Sequence, residues 1–204
     1  MKAELLSIAG RVHRDLGPDS DVYGGMELLK KTHAPTYSHC VRVALLADQM
    51  ADQLELVASD KQNLVRGCFI HDLGKLMVPN RLLDSDQPLT DEEWGLMKRH
   101  PEFGANLLAG SLELAPDIIQ LVLFHHERWD GKGYPSGLRG EQIPLLARIC
   151  AVADAFDSMT TERPYRARKT EAGALAELER HAGTQFDGDI VERFRATRDV
   201  RKWL

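Results

Sequence analysis

The sequence predicts an all-α protein, a helical bundle carrying a glycine-rich loop. Apolar residues recur at spacings of three and four along nearly the whole chain, alternating strand patterns are essentially missing, and prolines and capping pairs stand where helices would begin. Residues 1–33 read as an N-terminal helical lead-in ahead of a single domain over 34–204. The lead-in holds one amphipathic helix with Leu5, Ile8 and Val12 on a face, then a GPDSD turn at 17–21. That face suits packing on the domain and dimerisation equally. From His39, the residues Val43, Ala47, Met50 and Leu54 define one face of a helix. Ser59 and Gln62 form a capping-box pattern ahead of Leu64, Cys68 and His71, and Thr90 with Glu93 repeats it. Pro101 and Pro116 suit the first turns of two more helices, and Pro144 opens another that runs to about Thr160. Two last helices fit 171–181, ended by Gly183, and 188–199. The longest irregular piece, 130–140, contains Gly131, Gly133, Pro135, Gly137 and Gly140.

Composition narrows the function. The 204 residues are 43% hydrophobic and 28% charged, enough for one core and too ordered in pattern for a disordered chain. No run approaches the ~20 apolar residues of a membrane span. The start, MKAELLSIAGRVHRDLG, is not a secretory signal. A net charge of -5 argues against bulk nucleic-acid binding and leaves room for a small anion held by a local basic cluster. Cys40, Cys68 and Cys150 lie in apolar segments without CxxC pairing, as buried residues of a reducing compartment would, so a cytoplasmic protein is expected.

Five of the eight histidines, His39, His71, His100, His125 and His126, fall at helix edges, with Asp72 and Asp154 near them. Singly, each reads as a core histidine or a cap. Together they are costly to bury unless a metal compensates their desolvation. Nitrogen and oxygen donors without a thiolate suit iron or manganese first, and zinc or nickel after them. Seven donors are too many for one open centre, and two ions sharing a carboxylate would use them, as in phosphoester hydrolysis.

HDLGK at 71–75 and HHERWDGKGYP at 125–135 resemble the HD-GYP family of the HD-superfamily metal-dependent phosphohydrolases. The segments 79–108 and 148–166 are similar to it as well, and the resemblance runs from about Thr36 to Phe194. It implies hydrolysis of the bacterial messenger cyclic di-GMP to linear pGpG by a metal-bridging hydroxide. By motif, His39, His71, Asp72 and Asp154 would hold one ion. Asp72, as a bridge, would hold the second with His100, His125 and His126. Lys75, one helical turn past His71, resembles the lysine on the scissile phosphate, and Arg163 and Arg166 the basic pair on the other phosphate and base. Members with a third metal carry a glutamate four residues before the first histidine. Here that residue is Pro35, so two ions are expected, with pGpG as the product.

Gly133, Tyr134 and Pro135 are either a rigid turn or, by the resemblance, a partner surface or groove wall. Asp157 could orient a ligand or pair with Arg163 or another cation. Trp94, Trp129 and Trp203 read as packing residues, with Trp129 open to a second role, and Glu127 and Asp130 as braces of the loop. Competing readings are the same chemistry on another cyclic dinucleotide or nucleotide, a non-catalytic receptor, and a scaffold acting through the GYP loop.

Overall fold

Helices make up most of the described part of the computed structural model, which describes residues 2–17, 20–162 and 168–196. Among the described residues, eleven α-helices run in order: α1 (Lys2–Leu16), α2 (Asp21–Thr32), α3 (Ala34–Gln53), α4 (Ala58–Ile70), α5 (Asn80–Leu83), α6 (Asp91–Met97), α7 (His100–Leu108), α8 (Pro116–Phe124), α9 (Leu145–Thr160), α10 (Glu171–Arg180) and α11 (Gly188–Ala196). A 3-10 turn, Leu73–Met77, follows α4, and a shorter one spans Gly140–Gln142. Among the described residues, the only β pairing is an isolated bridge between Ala182 and Phe186.

The central helix, α3, buries Cys40, Val43, Ala44, Ala47, Met50 and Ala51. These are small or unbranched on several sides, so neighbours approach from all around. It packs against α1, α2, α4, α9 and α11. Pro35 lies in its first turn, and His33 caps it, its Nδ1 accepting from the Thr36 amide at 3.2 Å. Phe69, Leu64, Ile118, Leu121 and Ile149 fill the space between α4, α8 and α9.

Two helices, not one, occupy 1–33. The start of the second is set by Ser20, whose hydroxyl accepts from the Tyr23 amide. Ile8, Val12 and Leu16 of α1 and Val22, Met26 and Leu29 of α2 are buried in the same core as α3 and α4, so the apolar face of α1 packs on the domain. The Thr90–Glu93 capping box forms with both of its reciprocal bonds. The Ser59–Gln62 box does not: Val57 stands at the start of α4, and the Ser59 hydroxyl turns to Asp60. Helix α11 is described to Ala196, and Trp203 lies outside the described residues.

One crossing decides where the site forms. The 3-10 turn lies against α7 so closely that a methyl at Gly74 would sit 2.0 Å from the His100 carbonyl oxygen and 2.4 Å from the Gly104 nitrogen. Only glycine permits that approach, which sets His100 beside the HDLGK segment. No described helix is long and apolar enough to cross a membrane.

Candidate metal centre

The seven candidate donors arrive from five parts of the chain. His39 comes from α3 and Asp154 from α9, His71 and Asp72 follow the end of α4, His100 opens α7, and His125 and His126 follow α8. Side-chain oxygens or nitrogens of His39, His71 and Asp154 lie within 4.8 Å of one another, and so do those of His100, His125 and His126. Asp72 stands between these groups. Its Oδ1 is 3.3 Å from His100 Nε2, while its Oδ2 is 3.6 Å from His71 Nε2 and 3.9 Å from His39 Nε2.

Helix ends fix the imidazoles. The last carbonyls of a helix lack an intrahelical donor. Nδ1–H of His71 donates to the Cys68 carbonyl at 2.7 Å, that of His100 to Met97 at 2.8 Å, and that of His125 to Val122 at 2.8 Å. With Nδ1 carrying the proton, each neutral ring aims the lone pair of Nε2 inward. Burial favours the neutral state. It pushes His100 down to about 3 and His126 to about 4, and lowers His71 and His125 as well.

These rings face each other badly without a cation. His100 Nε2 and His125 Nε2 are 3.2 Å apart with no proton to share. His71 Nε2 and Asp72 Oδ1 are buried with no hydrogen-bond partner. Leaving such a group unpaired costs about 1–3 kcal/mol. A divalent ion accepts all of these lone pairs at once, so the residues fit a pair of ions about the Asp72 carboxylate. Burial opposes the charge on Asp72, but Lys75 and the surrounding imidazoles hold its carboxyl well below the usual range.

His39 is held differently. Its Nδ1 is 2.6 Å from Asp157 Oδ2, and its Nε2 is 3.0 Å from Asp154 Oδ1. Burial works against a charge on this ring, but the two carboxylates prevail and raise it to about 9. Arg42 donates through Nε to Asp157 Oδ1 at 2.6 Å and through Nη2 to Oδ2 at 2.9 Å. Both roles open to Asp157 meet here: it orients His39, a candidate ligand, and pairs with a cation, which is Arg42. Arg42 was not legible as a functional residue. Its one signal is a place three residues after His39 on α3, and the partner that gives it meaning lies 115 positions on.

Lys75 is not one helical turn past His71 on a continuous helix. The helix stops at Ile70, and Lys75 belongs to the following 3-10 turn, which folds its Nζ back to 2.6 Å from Asp72 Oδ2. Arg163 and Arg166 lie outside the described residues. Cys40 is nearer the site than its apolar setting suggests, its sulfur grouping with His71 and Asp72 donors. Burial, then the Asp72 charge, pushes its thiol up and keeps it protonated.

The glycine-rich loop folds over one side of the cluster. A methyl at Gly133 would lie 2.4 Å from the Arg128 nitrogen and 2.5 Å from Glu127 Cα, so the chain doubles back there only as glycine. Glu127 Oε1 accepts from the amides of Ser136 and Gly137, and Asp130 pairs with Arg128 at 2.8 Å. Both brace the loop. Half-buried Tyr134 sets its ring 4.9 Å from that of His126, with Lys98 above Tyr134 and Trp94. Trp129 packs under Arg148, and its amide donates to the Gln185 carbonyl.

Comparison with known proteins agrees with this geometry. Residues 25–190 match the model of the HD domain family. A cyclic di-GMP phosphodiesterase of Pseudomonas aeruginosa is 39% identical over 81% of this chain and 40% of its own length. The cyclic di-GMP phosphodiesterase response regulator RpfG of Xanthomonas campestris is 42% identical over 74% of this chain and 40% of its own. The chain thus spans about 40% of the length of these relatives. The solved structure of an HDG"Y"P protein from Bdellovibrio bacteriovorus superposes with a TM-score of 0.67 at 26% identity, covering 81% of this chain and 52% of that one. With an all-α fold and a histidine–aspartate cluster at its centre, the chain belongs to the HD domain family of metal-dependent phosphohydrolases.

Proposed function

We propose that this chain hydrolyses one phosphodiester bond of cyclic di-GMP to give linear pGpG. The observation that carries this reading is the convergence of unprotonated Nε2 atoms on the two sides of one buried carboxylate, Asp72. His39, His71, Asp154 and Asp72 would hold one divalent ion, and Asp72, His100, His125 and His126 a second. Iron and manganese suit such donors. Bound there, the ions would supply Lewis acidity toward a phosphate and lower the pKa of the attacking water.

The chain's own groups provide the rest. Asp72 presents one oxygen to each side and keeps the two groups of donors in register. Lys75 is partly exposed beside Asp72, placed to turn its ammonium toward negative charge developing on phosphorus. Arg163 and Arg166 are assigned to the other phosphate and a base. The contact of the Tyr134 ring with that of His126, at 4.9 Å, supports a substrate-side role for Gly133, Tyr134 and Pro135 over a purely external partner surface. Three buried free cysteines support a cytoplasmic setting. Homodimerisation would have to use a surface other than the buried face of α1.

The test is turnover. The protein is loaded anaerobically with iron, or separately with manganese, and given cyclic di-GMP. Products are resolved by chromatography beside a metal count. Linear pGpG with about two ions per chain supports the reading. Accumulation of GMP would discard the product assignment drawn from Pro35. Equal turnover of adenine-containing cyclic dinucleotides would discard the guanine specificity. Tight binding of the intact messenger without turnover at full loading would make the protein a receptor.

A further inference from the structure

The two sets of donors are not equivalent, and the difference lies behind the ligands. His71, His100 and His125 each rest on a neutral backbone carbonyl. His39 stands inside α3, where the carbonyls one turn back are already bonded within the helix, so it has no such carbonyl available. It leans instead on a full carboxylate, Asp157, and that carboxylate is gripped by both an Nε and an Nη2 of Arg42 and touched by the Thr161 hydroxyl at 3.3 Å. The carboxylate is buried, Asp157 being 4% exposed, while the Arg42 side chain is partly exposed. A carboxylate on the far nitrogen of a histidine makes the near nitrogen a stronger donor and fixes its direction.

Charge runs the same way. The His39 side carries Asp154 as a carboxylate of its own besides its share of Asp72, whereas the other side has three neutral imidazoles and its share of Asp72. Lys75 sits on Asp72 Oδ2, the oxygen facing His39 and His71. The advantage of that side therefore comes from Asp154 and from the Asp157 backing.

We propose that Asp157 and Arg42 are positioning residues that act through His39 to make the two centres unequal, so that the ion at His39, His71 and Asp154 is held more tightly than the ion at His100, His125 and His126. This rests on the dinuclear reading given above. Partial depletion would leave one ion per chain, always on the His39 side.

The measurement is metal retention, independent of turnover. The full chain loaded with Mn(II) is dialysed against graded chelator, and the ions per chain are counted, with the electron paramagnetic resonance signal of the retained ion recorded. The wild type should lose its ions in two steps. Asp157→Ala should shift the tighter step by about 10–100-fold in chelator and leave the weaker step in place. Arg42→Met keeps the Asp157–His39 contact and guards against a misfolded Asp157 variant; it should move the same step by less. A single step in the wild type, or a tighter step unmoved in both variants when both are folded by circular dichroism, would overturn the inference while leaving the dinuclear reading intact. A wild type that retains no Mn(II) would remove the dinuclear reading itself.

Discussion

Replacing Gly74 with alanine tests the link between a backbone crossing and the metal centre. The added methyl would lie 2.0 Å from the His100 carbonyl oxygen, 2.4 Å from the Gly104 nitrogen and 3.0 Å from Gly104 Cα. Ordinary contact needs about 3.5 Å, so the 3-10 turn and α7 must separate by roughly 1.5 Å. The obstructing atoms are backbone, which cannot rotate away as a side chain would. Overpacking of this kind costs about 1–3 kcal/mol, and the upper end applies here. For a chain of this length about 3 kcal/mol lowers the melting temperature by roughly 6–12 °C. The site should respond more sharply than stability. His100 Nε2 lies 3.3 Å from Asp72 Oδ1 and 3.2 Å from His125 Nε2, and a metal site tolerates only about 0.2 Å of error in ligand distance. Gly74→Ala should therefore lose the ion at His100, His125 and His126 while still folding. Gly95→Ala is the control. A methyl there meets nothing within 4 Å, and in a helix the same change should stabilise by about 0.5–1 kcal/mol. Calorimetry gives the melting temperature, and a metal count after dialysis gives the occupancy. A Gly74→Ala protein that binds two ions and melts within about 2 °C of wild type would refute the crossing as the element that places His100.

Other perturbations probe separate parts of the argument. Stripping metal with a chelator should lower the melting temperature, since a site filled at 100 times its dissociation constant gains about 2.7 kcal/mol; an unchanged melting curve would mean that the facing His100 and His125 lone pairs need no cation. Thr90→Ala should cost about 1 kcal/mol in urea unfolding, because it removes a formed cap, whereas Ser59→Ala should be near neutral, its hydroxyl being turned to Asp60. Asp130 is held down at about 2, chiefly by the hydrogen bonds from Arg128. Its folded value lies below the unfolded one, so its contribution is complete above about pH 4 and is lost as pH falls toward 2. Screened by solvent, that contribution is at most about 1 kcal/mol. Asp130→Asn should flatten the acid limb of the stability curve by that amount, and an unaltered limb would dispose of the pairing.

What the sequence revealed was local. Pro101 and Pro116 stand in the first turns of α7 and α8, where a missing amide costs nothing whatever the surroundings, and Pro144 stands at the N-cap of α9. Helix α2 was missed although its capping serine stood in the GPDSD turn: two glycines, Gly24 and Gly25, weaken the helical pattern, and only burial of Val22, Met26 and Leu29 against the core restores it. Ser59 shows the reverse error, a capping residue placed two positions inside the true start, where its hydroxyl found another partner.

The orientation of three of the candidate donors has a physical reason besides motif. A histidine just beyond an apolar helical run meets carbonyls that the helix has left without donors, and its ring is locked by one of them with Nε2 outward. His71 and His125 follow this pattern at the ends of α4 and α8, and His100 takes the free carbonyl of Met97, the last residue of α6. Position in the chain therefore determines tautomer, and tautomer determines which nitrogen can ligate. His39 breaks the pattern, and there sequence reasoning stops short. A ring inside a helix has to borrow its acceptor from elsewhere, and Asp157 is 118 residues away, meaningful only once α9 packs on α3. The residues hardest to read are thus the ones that compensate for a ligand placed where the helix could not orient it. The same packing of α3 on α9 brings Arg42 to that carboxylate, so the helix that cannot orient its own histidine supplies the cation that steadies the group which does.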